Sequence, residues 1–181
     1  MSVAHVKKSS AQAKPLYLNF GFQVLTAMVI GLLLGLIARN MGHVVAESIT
    51  ASMEYAVSHL GSALIVVLAH DSCGAVAAAI DQTTREPGEV SPAVRNTLAP
   101  IQPAVQSLWH RDHHESPYVV PGEIDANTVG RLHLQSTVNE LLRNSPTISS
   151  AVDRGEVAVV VCQYRLLECR AVPYTAVGRL N

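Results

Sequence analysis

Residues 64–76 read LIVVLAHDSCGAV, and the fold follows from how that stretch is read. Ala63 to Leu68 (ALIVVL) is apolar, rich in β-branched side chains, and stops at the polar cluster HDSCG. That pattern predicts a strand buried on both faces of a parallel sheet. A helix through Gly74 to Gln82 follows, so the unit is strand, turn, helix. In open α/β sheets ligands collect at the carboxyl ends of the strands, which puts His70 and Cys73 where function is to be sought. An H-x-x-C pair can bring an imidazole nitrogen and a thiolate to one metal, and zinc accepts that mixture in tetrahedral sites. Spacing alone leaves a second reading open. A cysteine at a buried helix start also packs as a small hydrophobe, and a single histidine also serves as a hydrogen-bonded core residue.

Working outward, Ala46 to Leu60 places Ile49, Met53, Ala56, Val57 and Leu60 on one helical face, and Gly61 ends that helix. On the other side TTREPGEVSP is turn chemistry, and Pro92 to Trp109 is a helix interrupted or kinked by Pro100 and Pro103. His110 to Gly122 reads as a polar loop. Asp125 to Asn144 is the best-formed helix, with Val129, Leu132, Val138, Leu141 and Leu142 recurring at three and four, and Pro146 helping to stop it. Ser149 to Arg154 is a short helix, Val157 to Cys162 (VAVVVC) a second buried strand, and Cys169 to Tyr174 a last strand after a turn at Leu166–Glu168. The expected class is α/β, a mostly parallel sheet flanked by helices.

The totals fit one domain with a real core: 181 residues, 49% hydrophobic and 15% charged. Thirteen Lys and Arg against fourteen Asp and Glu leave a net charge of -1, which supplies no electrostatic reason for nucleic acid or an anionic membrane surface as the main partner. The three cysteines, Cys73, Cys162 and Cys169, are odd in number and irregular in spacing, so reduced thiols or a metal ligand are favoured over a disulfide framework.

Residues 1–16 carry Lys7, Lys8 and Lys14 without an apolar period and are expected to form a disordered basic tail. Within residues 17–38, Phe20 to Ala38 runs nineteen positions without a charge, which at about 1.5 Å per residue spans roughly 28 Å, close to the thickness of a bilayer core. A membrane helix is expected there, with a cleaved signal peptide or a buried soluble helix as alternatives. The lysines before the run and the single Arg39 just after it would set the N-terminus in the cytoplasm and the remainder outside, in tension with free thiols. The expected location is therefore membrane-associated through this helix, and otherwise cytoplasmic. The stretch FQVLTAMVIGLLLGLIAR also resembles the first membrane helix of dicarboxylate and amino-acid:cation symporters, over apolar composition alone; it implies no transport activity. Residues 39–181 then form the soluble domain.

A more specific resemblance covers that domain. EYAVSHLGSALIVVLAHDSCG, Glu54 to Gly74, is similar almost position for position to the second signature of β-class carbonic anhydrases, in which E-Y-A-hydrophobic precedes a strand and G-H-x-x-C-G; Ala69 stands where the family has Gly. ARNMGHVV, Ala38 to Val45, is similar to the family's V-R-N-A-G-N-hydrophobic stretch. The helix Val129 to Leu142 and the strand pair in RGEVAVVVCQYRLLECRAV match the family's C-terminal order. The resemblance spans residues 39–174. It implies a β-carbonic-anhydrase-like fold and a zinc lyase, carbonate dehydratase, that interconverts carbon dioxide and bicarbonate, with the metal bringing the pKa of a bound water toward neutrality. It also implies pairing of protomers, hence a homodimer.

Carried over by motif, His70 and Cys73 are zinc ligands. The family draws its other cysteine ligand and an Asp–Arg pair from an earlier C-x-D-S-R strand, and no C-x-D-x-R occurs in these 181 residues. The catalytic pair thus has no counterpart, and the sheet is expected to lack its first strands and expose an apolar edge. Two protein donors are half a tetrahedral set and would hold zinc weakly. Cys162 or Cys169 could lend a thiolate, or a second subunit could lend ligands and cover the edge. Elsewhere, His110, His113 and His114 have ligand chemistry in what reads as a solvated loop. Asp71 suits either orientation of a ligand or capping of the next helix, and Tyr55, Arg131 and His133 read as helix-surface or packing positions. Two functions remain: a carbonic anhydrase completed by a partner or an unrecognised ligand, and a non-catalytic, truncated or fused relic with weak or no zinc binding.

Overall fold

The structure is a computed structural model, and it describes residues 40–179. The expected basic tail (1–16) and apolar helix (17–38), with their membrane, signal and symporter readings, lie outside the described residues. Among the described residues no helix is long and apolar enough to cross a membrane.

A single 3-10 turn, Met41–His43, leads into α1 (Glu47–Leu60), β1 (Leu64–His70) and α2 (Gly74–Asp81). Then come α3 (Pro92–Leu98), a 3-10 turn (Ala99–Ile101) and α4 (Gln102–Asp112). A further 3-10 turn (Pro121–Glu123) precedes α5 (Ala126–Asn144), α6 (Pro146–Asp153), β2 (Ala158–Arg165) and β3 (Arg170–Val177). Local chemistry accounts for most boundaries. Gly61 takes the left-handed conformation at φ 67° and its N–H closes on Ala56 O, as a helix-ending glycine does. The two prolines break the helix after Pro92 into α3 and α4 with the tight turn between them, and α4 runs on to Asp112, three residues further than the periodicity suggested. Asp125 caps α5 by accepting from the Asn127 and Thr128 N–H groups.

The sheet has three strands in the order β1-β2-β3 among the described residues. β1 pairs parallel to β2, from Leu64 opposite Ala158 to His70 opposite Tyr164, and β3 returns antiparallel to β2. A mostly parallel sheet is therefore corrected to a mixed one, because the short turn after Arg165 can only fold the chain back on its neighbour; a parallel return needs a crossover. The expectation for β1 is corrected too. Its burial alternates: Ile65, Val67 and Ala69 are buried, while Leu64, Val66 and Leu68 stay about half exposed at 51%, 52% and 51%. A run of β-branched residues says that a strand forms, not that both its faces find cover.

Two cores flank this strand-turn-helix unit. One joins Ile65, Val67 and Ala69 to Val159 and Val161 of β2 and to Leu134, Val138, Leu141 and Ile148 of α5 and α6. At about 1.5–3 kcal/mol per fully buried aliphatic side chain, this layer is what holds β1 against its helices. Ala69 is buried within it. The second core wraps Val76, Ala79 and Ile80 of α2 with Leu98, Ile101, Val105 and Trp109. Glu54, part of the E-Y-A motif, accepts a 2.6 Å hydrogen bond from Ser145 Oγ, which itself caps α6 through the Ile148 N–H and so ties α1 to the α5–α6 corner.

Candidate metal centre

His70 ends β1 and Cys73 sits at the N-cap of α2, so both stand at the carboxyl end of a parallel strand, where open α/β sheets place ligands. His70 is exposed and Cys73 half-buried. His70 Nδ1 lies 2.8 Å from Asp71 O. A carbonyl only accepts, so Nδ1 carries the proton and the lone pair is left on Nε2, the arrangement a ligating histidine requires.

The loop between them is held from three directions. Asp71 N–H donates to Tyr164 O at 3.0 Å, and Asp71 Oδ1 accepts from Leu166 N–H at 3.0 Å, so the aspartate joins this loop to the β2–β3 turn. It neither caps α2 nor reaches into the site. Ser72 adopts φ 52°, a left-handed conformation costly for a residue with a Cβ, and its N–H donates to Asn127 Oδ1 at 3.1 Å from the first turn of α5. The spacing of His70 and Cys73 is thus set by a strained residue that Asn127 holds.

A cleft of about 460 Å³ opens beside the pair, lined on its apolar side by Val45, Ile49, Met53, Val66 and Leu68 and on its polar side by His43, His70, Cys73 and Tyr164. His43 was not singled out by the sequence. Its ring lies 4.7 Å from that of His133, and His133 is buried, donating from Nε2 to Gly42 O at 2.9 Å. His133, expected at a surface or packing position, is a buried hydrogen-bonding residue. Burial first, then the nearby His133 and His70, pushes His43 from the ordinary 6.5 down to about 4. Burial also lowers His133, against the opposing pull of Gly42 O and Glu140. Both rings are therefore neutral at pH 7.

The other candidates lie elsewhere. Cys162 is buried in β2, and Cys169 is exposed as the last residue of the β2–β3 turn, at φ 49°, just before β3 rather than in it. His113 stacks on Trp109 with ring centroids 3.7 Å apart and stands 3.3 Å from Glu123, while His110 and His114 are exposed. Tyr55 is exposed, stacked on His59, and Arg131 reaches Thr128 and Asp125. Among the described residues no three His, Cys, Asp or Glu side chains are grouped to hold one ion.

The profile of the family described as carbonic anhydrase matches residues 24–170 of this chain. The chain belongs to the carbonic anhydrase family. It is similar to carbonic anhydrase 2 of Mycobacterium tuberculosis, 33% identical over 188 residues that take in 99% of this chain and 84% of that protein. It is 35% identical to a carbonic anhydrase of Mycolicibacterium smegmatis over 135 residues, 74% of this chain and 60% of that one. Its fold is that of the β class. A tetrameric β-carbonic anhydrase of Sordaria macrospora superposes with a TM-score of 0.58 over 78% of this chain and 68% of that one, at 22% identity. A Coccomyxa β-carbonic anhydrase in complex with acetazolamide gives 0.60 over 77% and 61%, at 20% identity.

Zinc is the metal of the β-carbonic anhydrases, and the residues of this chain fit it by kind more than by number. The imidazole with a free Nε2 and the nearby thiol are donors zinc takes. A third donor is not in place beside them among the described residues, although one enclosed nitrogen in the same cleft, Nε2 of His43, has no hydrogen-bond partner.

Proposed function

We propose that this carbonic anhydrase homologue holds zinc through His70 and Cys73 as half a site, and that acting alone it binds the metal weakly and hydrates carbon dioxide slowly. The observation that carries this reading is the pair itself: an imidazole and a thiol at the carboxyl end of β1, in a loop fastened by Asp71 and Asn127, with no third side chain grouped beside them among the described residues. Zinc in a complete site supplies a bound water whose pKa lies near 7. This chain's contribution is to present Nε2 of His70 through the Nδ1–H to Asp71 O bond, and to give the cleft an apolar wall of Val66 and Leu68, suited to a small uncharged substrate.

The relic reading and the active-enzyme reading part at metal occupancy. Purified full-length chain is expected to carry less than one equivalent of zinc and to show little activity in stopped-flow hydration. A full equivalent, with strong activity that disappears in Cys73→Ser, would overturn the proposal.

A second reading has support in the half-exposed Leu64, Val66 and Leu68 face of β1, which runs directly up to His70. A second copy of the chain covering that face would shield the apolar stripe, and activity that rises with protein concentration alongside dimer formation in sedimentation would favour it.

A further inference from the structure

Every second residue of β1 is exposed, and the series Leu64, Val66, Leu68 ends on His70. Alternate residues of a strand share a face, so the imidazole stands at the end of the apolar row rather than behind it. No residue of β1 carries a fixed charge. Beyond His70 the apolar surface continues in Leu166, 47% exposed, and Leu167, fully exposed, at the β2–β3 turn. The charges around that turn cancel. Glu168 bridges Arg165 at 2.8 Å and Arg170 at 2.9 Å, and the Asp71 carboxylate takes the Leu166 N–H, so two cations stand against two carboxylates. A patch that is apolar along its length and neutral at its rim can meet its own copy without like-charge repulsion.

We propose that one zinc joins two copies of this chain, each giving His70 and Cys73, so that the half-site is completed by its own duplicate. The inference rests on the half-site reading above. Within one chain no third His, Cys, Asp or Glu is grouped with the pair among the described residues, so any further donors come from outside it. A partner has to bring soft donors to the exposed His70 and an apolar surface to the row beside it. The same patch of a second copy carries both. Two imidazoles and two thiolates are a full tetrahedral set of the closed kind that zinc takes in structural sites, where no position is left for water. A zinc-loaded dimer of this kind hydrates carbon dioxide slowly even when its metal is firmly held. That separates it from a dimer in which pairing restores activity.

The test uses the full-length chain, stripped with chelator and titrated with Zn(II) against a chromophoric competitor, with sedimentation velocity at each step. Binding is expected to saturate at one zinc per two chains, with monomer converting to dimer as metal is added and returning when EDTA removes it. This readout depends on no variant. With Co(II), the thiolate-to-cobalt charge-transfer band per metal should match two thiolates rather than one. Cys73→Ser should lose that band and the metal-driven dimer together. Leu68→Glu alters a half-exposed side chain and sets two carboxylates against each other across the interface. It should raise the protein concentration needed for the zinc dimer at least roughly tenfold and leave the circular dichroism of the fold unchanged. Zinc bound without any change in sedimentation, while Cys73→Ser still abolishes charge transfer, would overturn the shared site and leave the half-site standing. The same holds for a zinc dimer that forms equally in Cys73→Ser or Leu68→Glu, or for hydration activity that climbs as the dimer fills. If Cys73→Ser changes neither charge transfer nor affinity, the half-site falls and this inference with it.

Discussion

Acidifying the metal-free chain is expected to cost it about 2 kcal/mol of stability between pH 7 and pH 5 through His43 alone. The unfolded imidazole titrates near 6.5 and the folded one near 4, so between those values the unfolded chain binds a proton that the folded chain refuses. Stability is then fully present above the unfolded pKa and is lost as pH falls toward the folded one. Linkage gives roughly 0.2 kcal/mol at pH 7 and roughly 2 kcal/mol at pH 5, levelling below pH 4 where the folded ring also protonates. His133 is lowered by burial as well and adds to the loss with the same sign. The assay is urea unfolding in EDTA at pH 7, 6 and 5, for wild type and His43→Asn. For a domain of this size 2 kcal/mol corresponds to a fall of roughly 4–8 °C in Tm. His43→Asn should remove about 2 kcal/mol of the wild-type acid loss, whatever its own stability at pH 7. Wild type and variant falling in parallel with pH would refute the burial argument, since the proton would then be taken up elsewhere.

Three further outcomes follow from the packing. Asn127→Ala removes the acceptor for the Ser72 N–H and is expected to weaken zinc binding about tenfold, as loss of an outer-shell partner does, while costing only about 0.5–1.5 kcal/mol in unfolding; unchanged affinity in a metal titration would show that the loop holds its shape without it. Leu134→Ala, at a fully buried position in the layer over β1, is expected to cost about 2–5 kcal/mol, read as a fall in the urea midpoint, and a loss below 1 kcal/mol would mean this layer is not the main core. Gly178→Ala would place a Cβ 2.7 Å from Val157 O at a φ of 91°, and should destabilise by about 1–3 kcal/mol; a neutral result in thermal unfolding would contradict the close approach of the chain after β3 to β2.

Motif and local period were enough to read the family, the strand-turn-helix unit with His70 and Cys73 at its hinge, the glycine stop at Gly61 and the proline break between α3 and α4. Each of these depends on residues within a few positions of one another, where spacing and backbone preference act directly. The absence of a C-x-D-x-R was likewise legible from the sequence and raised the incomplete site before any geometry was known.

What lay beyond the sequence depends on partners far apart in the chain. An apolar β-branched run announces β1 but cannot say that only Ile65, Val67 and Ala69 find cover while Leu64, Val66 and Leu68 do not, because cover is supplied by α5, α6 and β2 from the other end of the domain. His43 carried no periodic signal; what marks it is its neighbour Gly42, bonded to His133 across 91 positions. Asn127 is one more polar residue in a first helical turn until its Oδ1 meets the Ser72 N–H from 55 positions away. The sequence by itself determined which two candidate donors, His70 and Cys73, stand at the end of β1. Only the tertiary structure decided which side chains hold their loop and that His43 lines the same cleft, because those contacts form only when α5 packs across the carboxyl end of the strand.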